Sequence, residues 1–297
     1  MWRQFMEWTN EIVDAIALRR SVLFLGAGIS ANSYSKKDKN VHPPTWKELI
    51  EAVIKDINLD IKIVGVINNL IERGDYLTAF EIIVNNVTHE RFERALSKKM
   101  LEPQFVHDRV HENIFRLDSR VVITPNVDKI YETYAQSESN GTTKVKRYYD
   151  SDLISSLKSQ DRIILKIHGT LDEPSKIVFT RSEYTNVRYE YSMFYKLLEA
   201  MLWNYTFIFL GTGLNDPDIQ LMLENASFAF PGSPKHFFIT PEDTVSNVEM
   251  EVIGRMRNIE FITYDKSSGH KEFHDAIEKL VELVEARREE IAMSMQW

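Results

Sequence analysis

The sequence of 297 residues contains no cysteine. This absence excludes disulfide bonds, a thiol nucleophile and any zinc site built on cysteine. Nine prolines and eleven glycines leave little material for low-complexity linkers. No apolar run approaches the roughly 18 residues that a membrane-spanning helix needs. The first twenty residues mix acidic side chains into an amphipathic pattern, unlike a signal peptide. We therefore expect a cytoplasmic protein without a membrane segment.

An excess of positive charge is lacking as well. Lysine and arginine number 36 against 44 aspartates and glutamates, which gives a formal net charge of −8. Acidic proteins are poor non-specific binders of nucleic acid, so we expect no direct nucleic-acid partner. The apolar content of 43% is ordinary for a globular chain. The length predicts a single domain over residues 1–297 that contains an insertion.

A short apolar run, residues 22–25, is followed at once by glycines. Its β-branched and aromatic side chains predict a strand that is buried on both faces. Gly26, Ala27 and Gly28 allow a tight turn and a close approach of the backbone to a ligand. Ser30 is placed to cap a short helix, and a helix N-terminus after a glycine turn suits an anionic group. Taken alone, the stretch is equally compatible with a tight turn that binds nothing.

Three later apolar runs, residues 120–124, 162–168 and 206–210, end in a similar way. The residues at or just after their ends are Thr124, Asn126 and Asp128, then His168 and Gly169, then Gly211, Thr212, Gly213 and Asn215. Further strands are predicted at residues 177–180, 235–240 and 259–263. Strands that alternate with helices predict an α/β fold with a Rossmann-like, doubly wound parallel sheet. The carboxyl ends of parallel strands share one edge, so a ligand site is expected there.

Residues 45–115 show helical spacing of apolar side chains, and no strand pattern interrupts it. Thr45 and Glu48 predict a capping box at its start. We predict a helical module inserted in the domain, which covers the ligand site or forms an interface. His107 and His111 stand one helical turn apart, but no carboxylate completes a known ligand spacing. We interpret them as surface histidines and predict no metal site.

Four motifs, in this order, resemble those of the sirtuin superfamily. They are Gly-Ala-Gly-Ile-Ser at 26–30, Thr-Pro-Asn-Val-Asp at 124–128, His-Gly at 168–169 and Gly-Thr-Gly at 211–213. Their order and strand-end positions are similar to the family's GAGxS, TQNxD, HG and GTS-like elements. The resemblance implies a Rossmann-like fold that binds NAD, with the glycine turns near pyrophosphate and ribose.

Three departures separate the chain from the deacylases of that family. The four-cysteine zinc module is missing, Pro125 replaces the family's glutamine, and a lysine-rich loop at residues 32–44 replaces the usual lid. The lysines of this loop are either solvated or attract phosphates. The chain more closely resembles bacterial sirtuin-like NAD hydrolases of antiphage defence, either those of Thoeris or those paired with a HerA-type ATPase. That resemblance implies NAD+ as substrate, no zinc, abortive infection, a homo-oligomer such as a large ring, and a HerA-type partner.

Hydrolysis of NAD+ breaks the bond from nicotinamide to ribose C1′. Nicotinamide leaves without a general acid, so the protein has to orient the ribose and position a water. We expect Asn126 to hydrogen-bond to the ribose or the water and His168 to act as the base. The expected binding residues are Gly26, Ala27, Gly28, Ser30, Thr124, Asp128, Gly211, Thr212, Gly213 and Asn215. A protein deacylase or ADP-ribosyltransferase at the same site and a non-catalytic NAD sensor or scaffold remain the alternatives.

Overall fold

The computed structural model describes residues 6–213 and 216–294, except for the side chain of Asp218. Within these ranges a parallel sheet of seven strands has the order β5-β6-β4-β1-β7-β8-β9. Its strands are β1 Ser21–Leu25, β4 Val121–Thr124, β5 Lys144–Arg147, β6 Ile163–Lys166, β7 Thr206–Leu210, β8 His236–Pro241 and β9 Ile259–Tyr264. A separate antiparallel pair joins β2 Tyr34–Ser35 to β3 Phe105–Val106.

Helices connect the strands and cover both faces of the sheet. Before β4 they are α1 Asn10–Ala17, α2 Ala27–Ser30, α3 Trp46–Ile57, α4 Ile61–Glu72, α5 Tyr76–Asn85, α6 His89–Met100 and α7 Arg109–Arg116. After β4 they are α8 Ile130–Glu138, α9 Leu153–Lys158, α10 Arg181–Glu190, α11 Ser192–Asn204, α12 Pro217–Ala229, α13 Asn247–Arg257 and α14 Ser267–Ser294. In the described part of the chain, no helix is both long and apolar enough to cross a membrane.

The central strand β1 shows why the sheet is covered on both sides. Successive side chains of a strand point to opposite faces. Leu23 and Leu25 join a core with α1, α7 and α14, whereas Val22 and Phe24 join a core with α10, α11 and α12. All five residues of β1 are buried. The predicted Rossmann-like, doubly wound α/β fold is confirmed.

A third core belongs to helices α3 to α6 and lies over the carboxyl edge of the sheet. Four residues from the loops after β4 and β6 complete it: Val127, Leu171, Ile177 and Phe179. Phe80 of α5 stacks on Phe179, with ring centroids 5.0 Å apart. We call α3 to α6 the helical module. The last helix of the predicted 45–115 span, α7, packs against α14 instead, and the description of the whole span as one insertion stays a prediction.

The structure corrects several local predictions. Gly26, not Ser30, is the N-cap of α2, and strand β3 interrupts the helical span 45–115. Residues 177–180 form no strand, although Val178 N–H donates to the His168 carbonyl at 3.1 Å. Strand β5 was not predicted, because its Lys-Val-Lys-Arg sequence has the charge typical of an edge strand. His111 is fully buried, not at the surface, because its Nδ1 accepts from Asp108 N–H in the capping box that starts α7.

A buried histidine at the start of β8 makes stability depend on pH. Burial lowers the pKa of His236 to about 4, and its Nδ1 accepts the Phe207 N–H at 3.2 Å. In the unfolded chain His236 is protonated below about pH 6.5, whereas in the folded chain it stays neutral down to about pH 4. The free energy of unfolding therefore falls as pH drops from 6.5 towards 4. Between pH 7 and 5 we expect His236 to account for a loss of about 2 kcal/mol in the free energy of unfolding.

Urea unfolding of the wild type and His236→Asn at both pH values measures this contribution. The asparagine Oδ1 keeps an acceptor for Phe207 N–H but does not titrate. The variant should lose about 2 kcal/mol less than the wild type over the same pH interval. Equal losses in the two proteins would contradict the assignment.

Candidate active site

Two glycine turns meet at the carboxyl edge of the sheet, where the strand order reverses between β1 and β7. A Cβ on Gly28 would lie 2.8 Å from the Gly211 carbonyl oxygen, and a Cβ on Gly26 would clash with the backbone of Thr212. Gly211 has φ +61°, and a Cβ there would lie 2.6 Å from Ile29 N. The turns therefore touch backbone to backbone, which requires glycine at these positions.

Gly26, Ala27 and Gly28 were predicted to bind the ligand, but the contact between the turns uses the backbone amides of Gly26 and Gly28. Gly26 N–H donates to the Leu210 carbonyl at 2.9 Å, and Gly28 N–H donates to the Gly211 carbonyl at 2.7 Å. In the described part of the chain, Ala27 N–H makes no such bond. Ala27 also lines the cavity that lies above the turns. The glycines thus shape the site, and Ala27 offers the amide that remains for an anion.

Asn126 lies after the end of β4 and is hydrogen-bonded to the turn that follows β1. Its Nδ2 donates to the Gly26 carbonyl at 2.9 Å and to Ser30 Oγ at 3.0 Å, and Ser30 Oγ donates to Asp128 Oδ2 at 2.7 Å. A carbonyl oxygen only accepts, so the NH₂ group of the Asn126 amide has to face Gly26. Both amide protons are thereby used, and Oδ1 remains to accept a hydrogen bond from a ligand hydroxyl or a water.

Thr124 supports this arrangement from below. Its hydroxyl donates to the Leu25 carbonyl at 2.7 Å and accepts Asn126 N–H at 3.0 Å. Thr124 is buried and does not line the cavity. It therefore fixes the turn that presents Asn126.

A buried ion pair lies beneath the same turn. Lys166, at the end of β6, is 1% exposed, and its Nζ lies 2.6 Å from Oε2 of Glu132, which is 6% exposed. Lys166 also donates to the carbonyl oxygen of Asp128. Burial raises the pKa of Glu132, while the charge of Lys166 opposes that rise. Sequence reasoning missed this pair because Lys166 stands inside an apolar run, although a lysine within a buried strand was the available signal.

His168 lies behind the site rather than in it. The side chain is 2% exposed and does not line the cavity. Its Nδ1 is 3.3 Å from the Tyr184 hydroxyl, which donates to Asp216 Oδ2 at 3.0 Å. His168 Nε2 is 3.6 Å from the same carboxylate oxygen. Tyr184 and Asp216 line the cavity and separate His168 from it. Tyr184, on helix α10, and Asp216 were not among the residues predicted for the site.

The cavity between the sheet edge and the helical module has a volume of about 720 Å³. This volume lies within the range of small-molecule and cofactor sites. Predicted site residues that line it are Ala27, Gly28, Ser30, Asn126, Asp128, Gly211, Thr212 and Gly213. Gly26, Thr124 and His168 support it without lining it, and Asn215 lies outside the described residues. From the helical module the lining includes Trp46, Leu49, Arg73, Tyr76 and Met100.

Two arginines border the cavity on the side of the helical module. Arg181 pairs with Asp75 at 2.7 Å and donates to Thr78 Oγ1 at 2.6 Å. Arg73 is exposed, and its guanidinium has no ion-pair or hydrogen-bond partner within the described ranges. The lysines of loop 32–44 do not line the cavity, so Arg73 is the available cation for a phosphate. In the described residues no cluster of three metal-ligating side chains occurs.

Comparison of the sequence with known proteins gives the following similarities. Residues 120–262 match the model of the SIR2-like domain. The chain is 23% identical over 75% of its length to "NAD(+) hydrolase ThsA" of Bacillus cereus, and 23% over 77% to the protein of that name from Acinetobacter baumannii. It is also 23% identical over 73% of its length to "Defense-associated sirtuin 2" of Bacillus subtilis. The matched part of the chain spans 42%, 44% and 20% of these three relatives, respectively.

The buried ion pair beneath the candidate site predicts a large loss of stability in Lys166→Met. Removal of the ammonium leaves Glu132 buried without its counter-charge, and breaking such a pair costs about 3–5 kcal/mol. Urea unfolding of Lys166→Met should show this loss. The double variant Lys166→Met/Glu132→Leu should regain most of it, because no charged group then remains unpaired. A single variant as stable as the wild type would contradict the burial of the pair.

Proposed function

We propose that this chain hydrolyses NAD+ to nicotinamide and ADP-ribose in the cavity at the sheet edge, and acts in antiphage defence by depleting NAD+. The observation that carries the proposal is the Asn126 side chain, which lines the cavity beside the glycine turn after β1 and whose Oδ1 has no hydrogen-bond partner among the described residues. Ligands of open α/β sheets bind at such a point. Relatives named as NAD(+) hydrolases support the same chemistry.

The main task of the protein in this reaction is to orient the ribose and the water. The bond from ribose C1′ to nicotinamide breaks with its electron pair on the nicotinamide nitrogen, which neutralises the charge of the leaving group. The ribose then carries oxocarbenium character, and a water adds to C1′. Asn126 Oδ1 accepts a hydrogen bond from a ribose hydroxyl or from that water and so sets their relative position. Its own NH₂ group is fixed by Gly26 and Ser30, so the orientation exists before substrate binds.

The helical module supplies the side of the cavity that receives the rest of the dinucleotide. Arg73 meets the pyrophosphate charge, because the glycine amides are committed to the contact between the turns. Trp46 and Tyr76 give this side aromatic surface for a base. A homo-oligomer and a HerA-type ATPase partner belong to the same proposal.

Substitution of Asn126 tests the reaction. With purified Asn126→Ala and His168→Ala, release of nicotinamide and ADP-ribose should fall by at least about 100-fold, because the first variant loses the alignment of ribose and water and the second loses the expected base. Chromatography of an NAD+ incubation measures both products, and circular dichroism checks folding. Asn225→Ala is the matched control, since Asn225 is exposed on α12 and does not line the cavity; it should keep wild-type activity.

Each alternative function gives a distinct result in the same assay. NAD+ binding by the wild type without nicotinamide release would support a sensor or scaffold. Nicotinamide release that requires an acylated peptide would support a deacylase. Wild-type rates in Asn126→Ala would overturn the proposed site.

Arg73 is expected to act on substrate binding rather than on turnover. Arg73→Gln should raise KM for NAD+ at least about 10-fold, the size of a lost hydrogen bond to a charged group, with kcat little changed. Calorimetric titration should show weaker binding of ADP and unchanged binding of adenosine, which lacks phosphate. Arg94→Gln, on the exposed face of α6, is the control. Equal ADP affinity in Arg73→Gln and wild type would remove Arg73 from the phosphate site.

A further inference from the structure

We propose that Asp216 is the carboxylate that takes the proton from the attacking water, and that His168 receives this proton from Asp216. Tyr184 positions both groups. These roles rest on the proposed hydrolysis of NAD+. From the sequence motif we expected His168 to contact the water; in this proposal Asp216 makes that contact instead.

Asp216 and His168 differ in their access to the cavity. His168 is 2% exposed and does not line the cavity, whereas the Asp216 side chain is 15% exposed and lines it. A general base has to lie within hydrogen-bond reach of the proton that it removes. In this arrangement a water in the cavity reaches the Asp216 carboxylate and does not reach the imidazole.

The hydrogen bonds also define where the protons lie. Tyr184 donates its hydroxyl proton to Asp216 Oδ2, and in the proposed arrangement the Tyr184 oxygen accepts the Nδ1–H of His168 at 3.3 Å. In that tautomer Nε2 carries a lone pair. This atom is buried, has no hydrogen-bond partner among the described residues, and lies 3.6 Å from Asp216 Oδ2. A buried polar atom without a partner needs an explanation, and a proton acceptor behind the carboxylate supplies one.

Asp216 is held in place from the other side by α12. Its Oδ1 accepts the Ile219 N–H at 3.0 Å at the start of that helix. The helix N-terminus stabilises a negative charge there. One carboxylate oxygen is thus fixed by the helix, while the other lies between Tyr184 and His168. The group is therefore oriented before substrate arrives.

The other two carboxylates that line the cavity differ in what lies behind them. Asp75 pairs with Arg181, and Asp128 accepts from Ser30 Oγ and from Ile130 N–H. These partners donate hydrogen bonds to the carboxylates, and none of them receives a proton. Of these three carboxylates, Asp216 is the one with the Nε2 of a histidine within 4 Å.

The proton balance of the step is closed. The C1′–nitrogen bond breaks with its electron pair on nicotinamide, and a water oxygen forms the new bond to C1′. One water proton passes to Asp216 and on to His168 Nε2, which leaves an imidazolium beside an ionised carboxylate. The proton then returns to solvent through Asp216, so each turnover converts NAD+ and water into nicotinamide, ADP-ribose and one proton.

Isosteric substitution separates the charge of Asp216 from its capping role. Asn is as good a helix N-cap as Asp, so Asp216→Asn should fold and bind NAD+ like the wild type, while kcat falls by about 10²–10⁴-fold. Asp172→Asn is the matched control, because Asp172 is an exposed carboxylate outside the cavity in the loop after His168. If the wild type cleaves NAD+ and Asp216→Asn cleaves it equally fast, this inference is overturned. If the wild type cleaves no NAD+, the proposed function is overturned.

Chemical rescue distinguishes a catalytic role from a structural one. Formate should restore activity to Asp216→Ala by replacing the carboxylate, and it should not restore activity to Asp216→Ala/His168→Ala, which lacks the second acceptor. A folded Asp216→Ala that binds NAD+ but is not rescued would overturn the role of Asp216. Rescue of the double variant would overturn the role of His168.

A spectroscopic measurement tests the proton arrangement independently of turnover. Long-range ¹H–¹⁵N spectra of ¹⁵N-histidine-labelled protein, with His168 assigned from His168→Gln, should show the Nδ1–H tautomer at neutral pH. Tyr184→Phe should change the ¹⁵N shifts of His168, because the hydroxyl that links it to Asp216 is lost. An Nε2–H tautomer in the wild type would contradict the proposal whatever the activity.

Discussion

The contact between the glycine turns at the ends of β1 and β7 is the constraint on which the rest of the site depends. Gly26 and Gly28 touch the backbone of residues 211–212 closely enough that a Cβ would displace it. The same contact consumes the amides of both glycines and offers Asn126 a carbonyl acceptor. The orientation of Asn126 and the place of the cavity both follow from this approach of two backbones.

Charge is distributed over the site in layers. The sheet edge presents amide and carboxylate groups to the cavity, and the cations lie on the opposite wall, on the helical module and at the start of α10. A second layer lies below the edge, where Lys166 stabilises the turn that carries Asp128, and His168 lies behind Asp216. Lys166 and His168 are buried in this layer and contact residues that line the cavity.

The strands and the order of the motifs were predictable because each depends on local sequence. Apolar runs such as 206–210 indicate buried strands whatever surrounds them. Parallel strands bring their carboxyl ends together, so the neighbourhood of Asn126, Gly28 and Gly211 followed from the fold class. Edge strand β5 escaped prediction because an edge position needs no apolar pattern, and residues 177–180 are extended without a strand partner.

The sequence by itself determined the fold class, the four strand-end motifs and the absence of any cysteine-based site, since these are properties of composition and short-range pattern. The tertiary structure alone decided which motif residues reach the cavity. It placed His168 behind Tyr184 and Asp216, paired Lys166 with Glu132, and added Arg73 from a helical module distant in sequence. The burial of a side chain and its distance from other side chains depend on contacts between segments that are remote in sequence, so the spacing of residues along the chain does not predict them.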